Sequence, residues 1–158
     1  MNADTPAFSV EKIDAPLGAV IHNIDLTQTL TSATLNDLRQ TWLQHQLLVF
    51  PAQAMSITDL ERFAHGMGPY GEDPYFEAMP GHPHVAQVRR EADEKTRIFA
   101  EAWHSDWSFM PSPPAATVLL SSIIPPHGGN TLFANQYAAW DALSPAMKPL
   151  SRSSTVTR

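Results

Sequence analysis

Residues Trp103–Ser144 read WHSDWSFMPSPPAATVLLSSIIPPHGGNTLFANQYAAWDALS, and the fold turns on how this stretch is understood. At its start, His104 and Asp106 stand two positions apart among Trp103, Trp107 and Phe109. In an extended segment, side chains at i and i+2 share a face, so an imidazole nitrogen and a carboxylate oxygen are able to converge on one ion. One His and one carboxylate are two members of the two-His, one-carboxylate triad that holds non-heme Fe(II) with positions left open. The aromatic neighbours supply a wall that limits water. The plainer alternative is a strand edge with two polar residues facing solvent. A His-x-Asp triplet arises by chance often enough that it does not choose between the two.

Working outward, Ala115–Ile124 (AATVLLSSII) is the most strand-like run in the chain, and Pro125-Pro126-His127-Gly128-Gly129 reads as a turn. Asn130–Ala134 follows as a strand in which Thr131 and Phe133 share one face. Gln136–Leu143 reads as a short helix with Asn135 at its N-cap. Ser144-Pro145 has the Ser-cap, Pro-first pattern of another helix start.

Toward the N-terminus, Phe8–Ile13 and Gly18–His22 read as strands joined by a turn at Pro16-Leu17. Leu35, Leu38, Trp42 and His45 form a helical stripe, with Thr31 or Ser32 as its cap. Leu47–Phe50 reads as a buried strand stopped by Pro51. Ser56 and Asp59 open a second helix whose apolar face is Leu60, Phe63, Ala64 and Met67. Tyr70–Pro83 is expected to be an irregular loop, Val85–Val88 a strand and Glu91–Ala100 a charged loop. Strands and helices do not alternate regularly, so a mainly β fold with flanking helices is favoured over a doubly wound sheet.

Composition narrows the function. The chain has 158 residues, 43% hydrophobic, with fourteen prolines against seven glycines. A formal charge of -6 and the lack of any basic cluster argue against nucleic acid as a partner. Arg89-Arg90 is followed at once by Glu91, Asp93 and Glu94. No apolar run reaches the roughly 18 residues of a membrane span, and the first residues lack a signal-peptide pattern. With zero cysteines, disulfides and thiolate chemistry are excluded. The default location is the cytoplasm.

The central block resembles the Fe(II)/2-oxoglutarate-dependent dioxygenases of the TauD/TfdA family. Trp103-His104-Ser105-Asp106, Pro113-Pro114-Ala115, the apolar Thr117–Ile124, Gly128-Gly129-Asn130-Thr131 and the helix Gln136–Leu143 occur in that family's order. Gly18-Ala-Val-Ile with Asp25-Leu26, and His45-Gln-Leu-Leu-Val-Phe, are similar to its N-terminal portion. The resemblance implies a double-stranded β-helix, or jelly roll. It implies His104 and Asp106 as Fe(II) ligands and Thr131 as a hydroxyl that hydrogen-bonds the co-substrate 2-oxoglutarate. Read by itself, Thr131 is simply a β-former in a strand. The implied reaction hydroxylates a small organic acid with molecular oxygen.

The family's substrate loop aligns with Asp73-Pro74-Tyr75-Phe76. Asp73, Tyr75, Phe76 and Trp103 are therefore expected pocket residues, although Tyr75 and Phe76 serve equally well as anchors of the loop. An Asp at that position repels a sulfonate, so taurine is not the expected substrate.

The family also uses a second His and an Arg farther along than Arg158. The expectation is a jelly roll incomplete at the C-terminus: residues 1–150 as the N-terminal part of a dioxygenase domain, and 151–158 as a polar tail foreign to the fold. None of His22, His45, His65, His82, His84 or His127 stands out as a replacement ligand, and His82-Pro-His84 reads as loop surface. The competing functional reading is an inactive remnant or an interaction module, since unpaired sheet edges invite association, homo-oligomers included.

Overall fold

Pro16 stiffens the backbone where the first two strands meet, and Gly18 completes the reversal with φ +106°. That conformation suits glycine, and a Cβ at Gly18 would stand 2.9 Å from the Ile13 side chain. The result is an antiparallel pair, β1 (Ser9–Lys12) and β2 (Ala19–His22), in the register Ser9↔His22 to Lys12↔Ala19. This computed structural model of the chain describes residues 7–71, 75–96 and 100–149.

Two compact units are present, one made of residues up to Ala54 and from Ser121 onward, the other of Met55–Leu120. In the first, α1 (Ser32–His45) carries the chain from β2 to β3 (Leu48–Val49), which pairs parallel to β2. The Thr31 hydroxyl accepts from the Thr34 backbone N–H at 3.1 Å and caps the helix. Gln46 closes it in the left-handed conformation, φ +67°. The core gathers Phe8 from just before β1, Ala19 and Ile21 from β2, Leu26, and Leu38 from α1. Period-2 alternation on β2 sends Ala19 and Ile21 inward. Thr34, the buried polar residue here, is satisfied by the Thr31 hydroxyl at 2.9 Å. Gln53 ties down the strand-to-helix loop by accepting from Leu26 N–H (2.9 Å) and donating to the Ile24 carbonyl (3.1 Å).

In the second unit, α2 (Ile57–Met67) begins with a full capping box: Ser56 and Asp59 satisfy each other's backbone N–H groups. Leu60 and Phe63 are its buried residues. A hairpin of β4 (Ala78–Met79) and β5 (His82–Ala86) follows, turning at Gly81 with φ +81°. The expected loop at 82–84 is thus a strand. His82 Nδ1 meets Glu61 Oε2 of α2 at 2.8 Å, and the His84 ring stacks on Tyr70 at 4.0 Å. These contacts explain the difference, because a proline on a short strand needs no ladder bond from its own nitrogen and both histidines gain partners by extending. Arg89 pairs with Glu91, and Arg90 donates to the Glu94 and Thr96 carbonyls, so the charged loop is held by its own residues.

Further corrections concern β content. Ala115–Ile124 and Asn130–Ala134 form no strand. β-Branched composition makes a segment fit for a sheet, but a ladder requires a second segment beside it, and among the described residues none pairs with either run. Their apolar side chains stay exposed, Ile123 at 95%. β3 is shorter than expected and half-exposed rather than buried. Past α3 (Gln136–Ala142, capped by Asn135), the chain turns at 145–146 and is helical over 147–149, the last described residues, with the amides of Met147 and Lys148 bonding back to the Ser144 carbonyl at the helix start expected there. The described architecture is mixed helix and sheet, with more helix than a mainly β reading allows. The expected tail at 151–158 lies outside the described residues.

Candidate metal and substrate site

The site is built on the irregular segment that follows Ala100 in the second unit. His104 Nδ1 lies 2.8 Å from the Ala102 carbonyl oxygen. A carbonyl only accepts, so Nδ1 carries the hydrogen and the lone pair of a neutral ring is left on Nε2. Nε2 points at Asp106 Oδ1, 3.1 Å away. The other carboxylate oxygen, Oδ2, accepts from the Thr117 hydroxyl at 3.0 Å. His104 and Asp106 are each about half exposed, at 51% and 53%.

Two acceptors facing each other at this distance repel unless a cation stands with them. Either a proton on Nε2 or a metal ion satisfies the pair. The donor set fits a metal on three counts. Imidazole and carboxylate are ligands for first-row ions such as Fe(II). Two neighbouring donors with bonds of about 2.0–2.2 Å stand about 3 Å apart. A ligating His characteristically donates its other N–H to a carbonyl, and ligating carboxylates are themselves hydrogen-bonded. Among the described residues, no group of three His, Cys, Asp or Glu is placed to hold a metal ion, so the pair is a partial ligand set.

The aromatic residues after Asp106 gather into a cluster. Trp107 takes φ +54°, a conformation uncommon for a bulky residue. Its ring lies 6.0 Å from Tyr75, nearly parallel at 17°, and 6.3 Å from Phe76, edge to face at 82°. Phe109 meets Tyr75 at 5.6 Å and Trp107 at 5.9 Å. Offset and edge-to-face geometries of this kind are the favoured ones.

Of the expected pocket residues, Tyr75 and Phe76 therefore join the segment that carries Asp106. Trp103 is 70% exposed and makes no ring contact among the described residues. Asp73 lies outside the described residues. Thr131 is exposed in the first unit, in a segment without ladder bonds, so the strand face expected to present its hydroxyl is not formed. Thr117 was missed by sequence reasoning. Its only signal was a hydroxyl at the start of an apolar run, and nothing in the spacing ties it to Asp106.

Comparison with known proteins gives a consistent picture. The family model described as taurine catabolism dioxygenase TauD, TfdA family, matches residues 9–158. An (S)-phenoxypropionate/alpha-ketoglutarate-dioxygenase of Sphingobium herbicidovorans is 32% identical over 146 residues, which cover 91% of this chain and 50% of the relative. An alkylsulfatase of Acinetobacter baylyi is 30% identical over 145 residues, covering 91% and 44%. The crystal structure of a taurine dioxygenase from Burkholderia xenovorans superposes with a TM-score of 0.78 at 27% identity, covering 94% of this chain and 52% of that one. The chain thus spans about half the length of the relatives it matches.

Proposed function

We propose, from the premise that this chain belongs to the taurine catabolism dioxygenase TauD/TfdA family, that it supplies the first two iron ligands of a 2-oxoglutarate-dependent dioxygenase. In this reading, His104 offers Nε2 and Asp106 offers Oδ1 to Fe(II). Residues 9–150 are part of a dioxygenase domain built as a double-stranded β-helix. The bound ion with 2-oxoglutarate supplies activation of oxygen, coupled to decarboxylation of the co-substrate and hydroxylation of the substrate; the protein supplies positioning and a dry setting.

The chain's own residues have definite tasks in this reading. The Ala102 carbonyl accepts from Nδ1 and so leaves Nε2 as the nitrogen directed at the ion. Thr117 holds Asp106 Oδ2 and leaves Oδ1 directed at the ion. Thr131 donates its hydroxyl to a carboxylate of 2-oxoglutarate, a charge-assisted bond. Trp107, Phe109, Tyr75 and Phe76 limit water on one side. The substrate is a small organic acid other than taurine, held at the loop of Asp73, Tyr75 and Phe76 with Trp103 at its margin. The similarity to a phenoxypropionate dioxygenase supports an organic acid. The location proposed is the cytoplasm; among the described residues no helix is long and apolar enough to cross a membrane.

The observation that carries the proposal is the 3.1 Å approach of His104 Nε2 to Asp106 Oδ1, with both outer partners in place. The test is Fe(II) and 2-oxoglutarate added under nitrogen, followed by admission of air. A visible charge-transfer band that disappears in His104→Ala, with succinate formed in air, is the expected result. A chain that binds neither component and forms no succinate contradicts it.

A further inference from the structure

His104 and Asp106 offer two donors, and a divalent ion takes more; a closed zinc site has four. Among the described residues no group of three His, Cys, Asp or Glu is placed to hold an ion. The pair is open to approach. Residues 101–106 are exposed without interruption, and the two side chains are 51% and 53% exposed. Nδ1 is engaged by the Ala102 carbonyl and Oδ2 by the Thr117 hydroxyl, so Nε2 and Oδ1 are the donors left for an ion. Their 3.1 Å separation, with bonds of about 2.0–2.2 Å, subtends an angle of about 90–100° at the ion. More than half of the coordination sphere therefore stays open.

Charge sets the number of chains. One imidazole and one carboxylate carry a single negative charge, so a divalent ion held by one pair keeps an excess positive charge. Two pairs cancel it, and a neutral centre costs less to cover than a charged one. A second observation points to a protein partner. Trp103, directly before His104, is 70% exposed and makes no ring contact among the described residues. Tryptophan is enriched among the residues that anchor interfaces. A two-fold contact repeats the same residues on both sides, so an axis through the ion sets Trp103 of each copy where the two chains meet.

We propose that a second copy of this chain closes the ion's coordination: two chains related by a two-fold axis place both His104 imidazoles and both Asp106 carboxylates on one zinc ion, with Trp103 of each copy packed beside it. This rests on the donor pair of the proposed function but not on its oxygen chemistry. Four protein donors leave no open position of the kind a non-heme Fe(II) site keeps for its reactants, so the closed dimer is a resting state of the same site.

The test is sedimentation velocity of the whole chain with Zn(II) as the probe, paired with isothermal titration. The chain is expected to double in mass at half an equivalent of Zn(II), with one ion per two chains, and to return to monomer on addition of a chelator. His104→Ala and Asp106→Asn should each abolish the doubling, and Trp103→Ala should weaken it about tenfold. All three side chains are exposed, so none of these changes burdens folding. A chain that stays monomeric and binds one ion by itself overturns the proposal and leaves the iron assignment standing. A zinc-driven dimer unchanged in His104→Ala, or a dimer that the chelator does not dissociate, overturns it too. Failure to bind zinc at all overturns it, and the Fe(II) experiment above then decides the proposed function separately.

Discussion

Tyr70 donates its phenolic hydrogen to the Glu61 carbonyl of α2 at 2.6 Å, and so fastens the segment after the helix back onto it. Burial, and then the nearby Glu61 charge, push the Tyr70 hydroxyl above its ordinary value of 10.0. The folded state thus prefers the neutral phenol. Its contribution is fully present below about pH 10 and is lost as pH rises through the raised folded value. Tyr70→Phe is expected to cost about 1 kcal/mol at neutral pH. Urea unfolding at pH 8 and pH 11 should show a larger alkaline loss in the parent chain than in this variant. An equal loss in both would place the alkaline sensitivity elsewhere.

The capping box of α2 gives an acid-side prediction. Hydrogen bonds from the Ser56 side chain and backbone, and then from Arg62, bring the Asp59 carboxyl from 3.8 down to about 2. A depressed carboxyl stabilises the fold above its unfolded value, and that contribution disappears as pH falls from about 3.8 through about 2. Asp59→Asn should flatten the pH dependence of helicity in this window, as followed by circular dichroism. Ser56→Ala should cost about 1 kcal/mol at neutral pH, the usual effect of losing a serine cap.

Leu38 of α1 is fully buried in the first unit. Leu38→Ala deletes packed methyl groups that the rigid surroundings cannot replace, at an expected cost of about 2–5 kcal/mol. Thermal unfolding with calorimetry checks it, and a loss below about 0.5 kcal/mol would contradict the assignment of this residue to a packed core.

Among the described residues, Thr117 touches the site through Asp106 Oδ2. It is a positioning residue, and Thr117→Val should lower divalent-metal affinity by about 10- to 100-fold, the range for loss of an outer-shell partner. Thr117→Ser, which restores the hydroxyl, should restore affinity. Isothermal titration with Mn(II) distinguishes this from a packing effect, since a structural loss would not be rescued by the smaller serine.

Local rules were legible where a signal and its partner lie close together in the chain. Thr31, Ser56 and Asn135 cap the helices that their positions announced, and the Pro16–Gly18 turn placed β1 against β2. His104 and Asp106 converge as two-residue spacing allows. Relationships between distant segments were not legible. Thr117 reaches Asp106 across eleven positions, and His82 finds Glu61 across twenty-one; no periodicity encodes either contact. The opposite error came from Ala115–Ile124. Its β-branched run states a preference for sheets, but the preference is expressed only where another segment offers a ladder, and none among the described residues does.

The most direct test of the account is whether a divalent ion finds the imidazole of His104 and the carboxylate of Asp106. Substoichiometric Mn(II), added to isotope-labelled chain, broadens the NMR signals of nuclei nearest the ion. The account predicts that the His104 ring and the amides of residues 103–107 broaden first, and that Asp106→Ala removes the effect. Broadening centred elsewhere, or unchanged in Asp106→Ala, would contradict it.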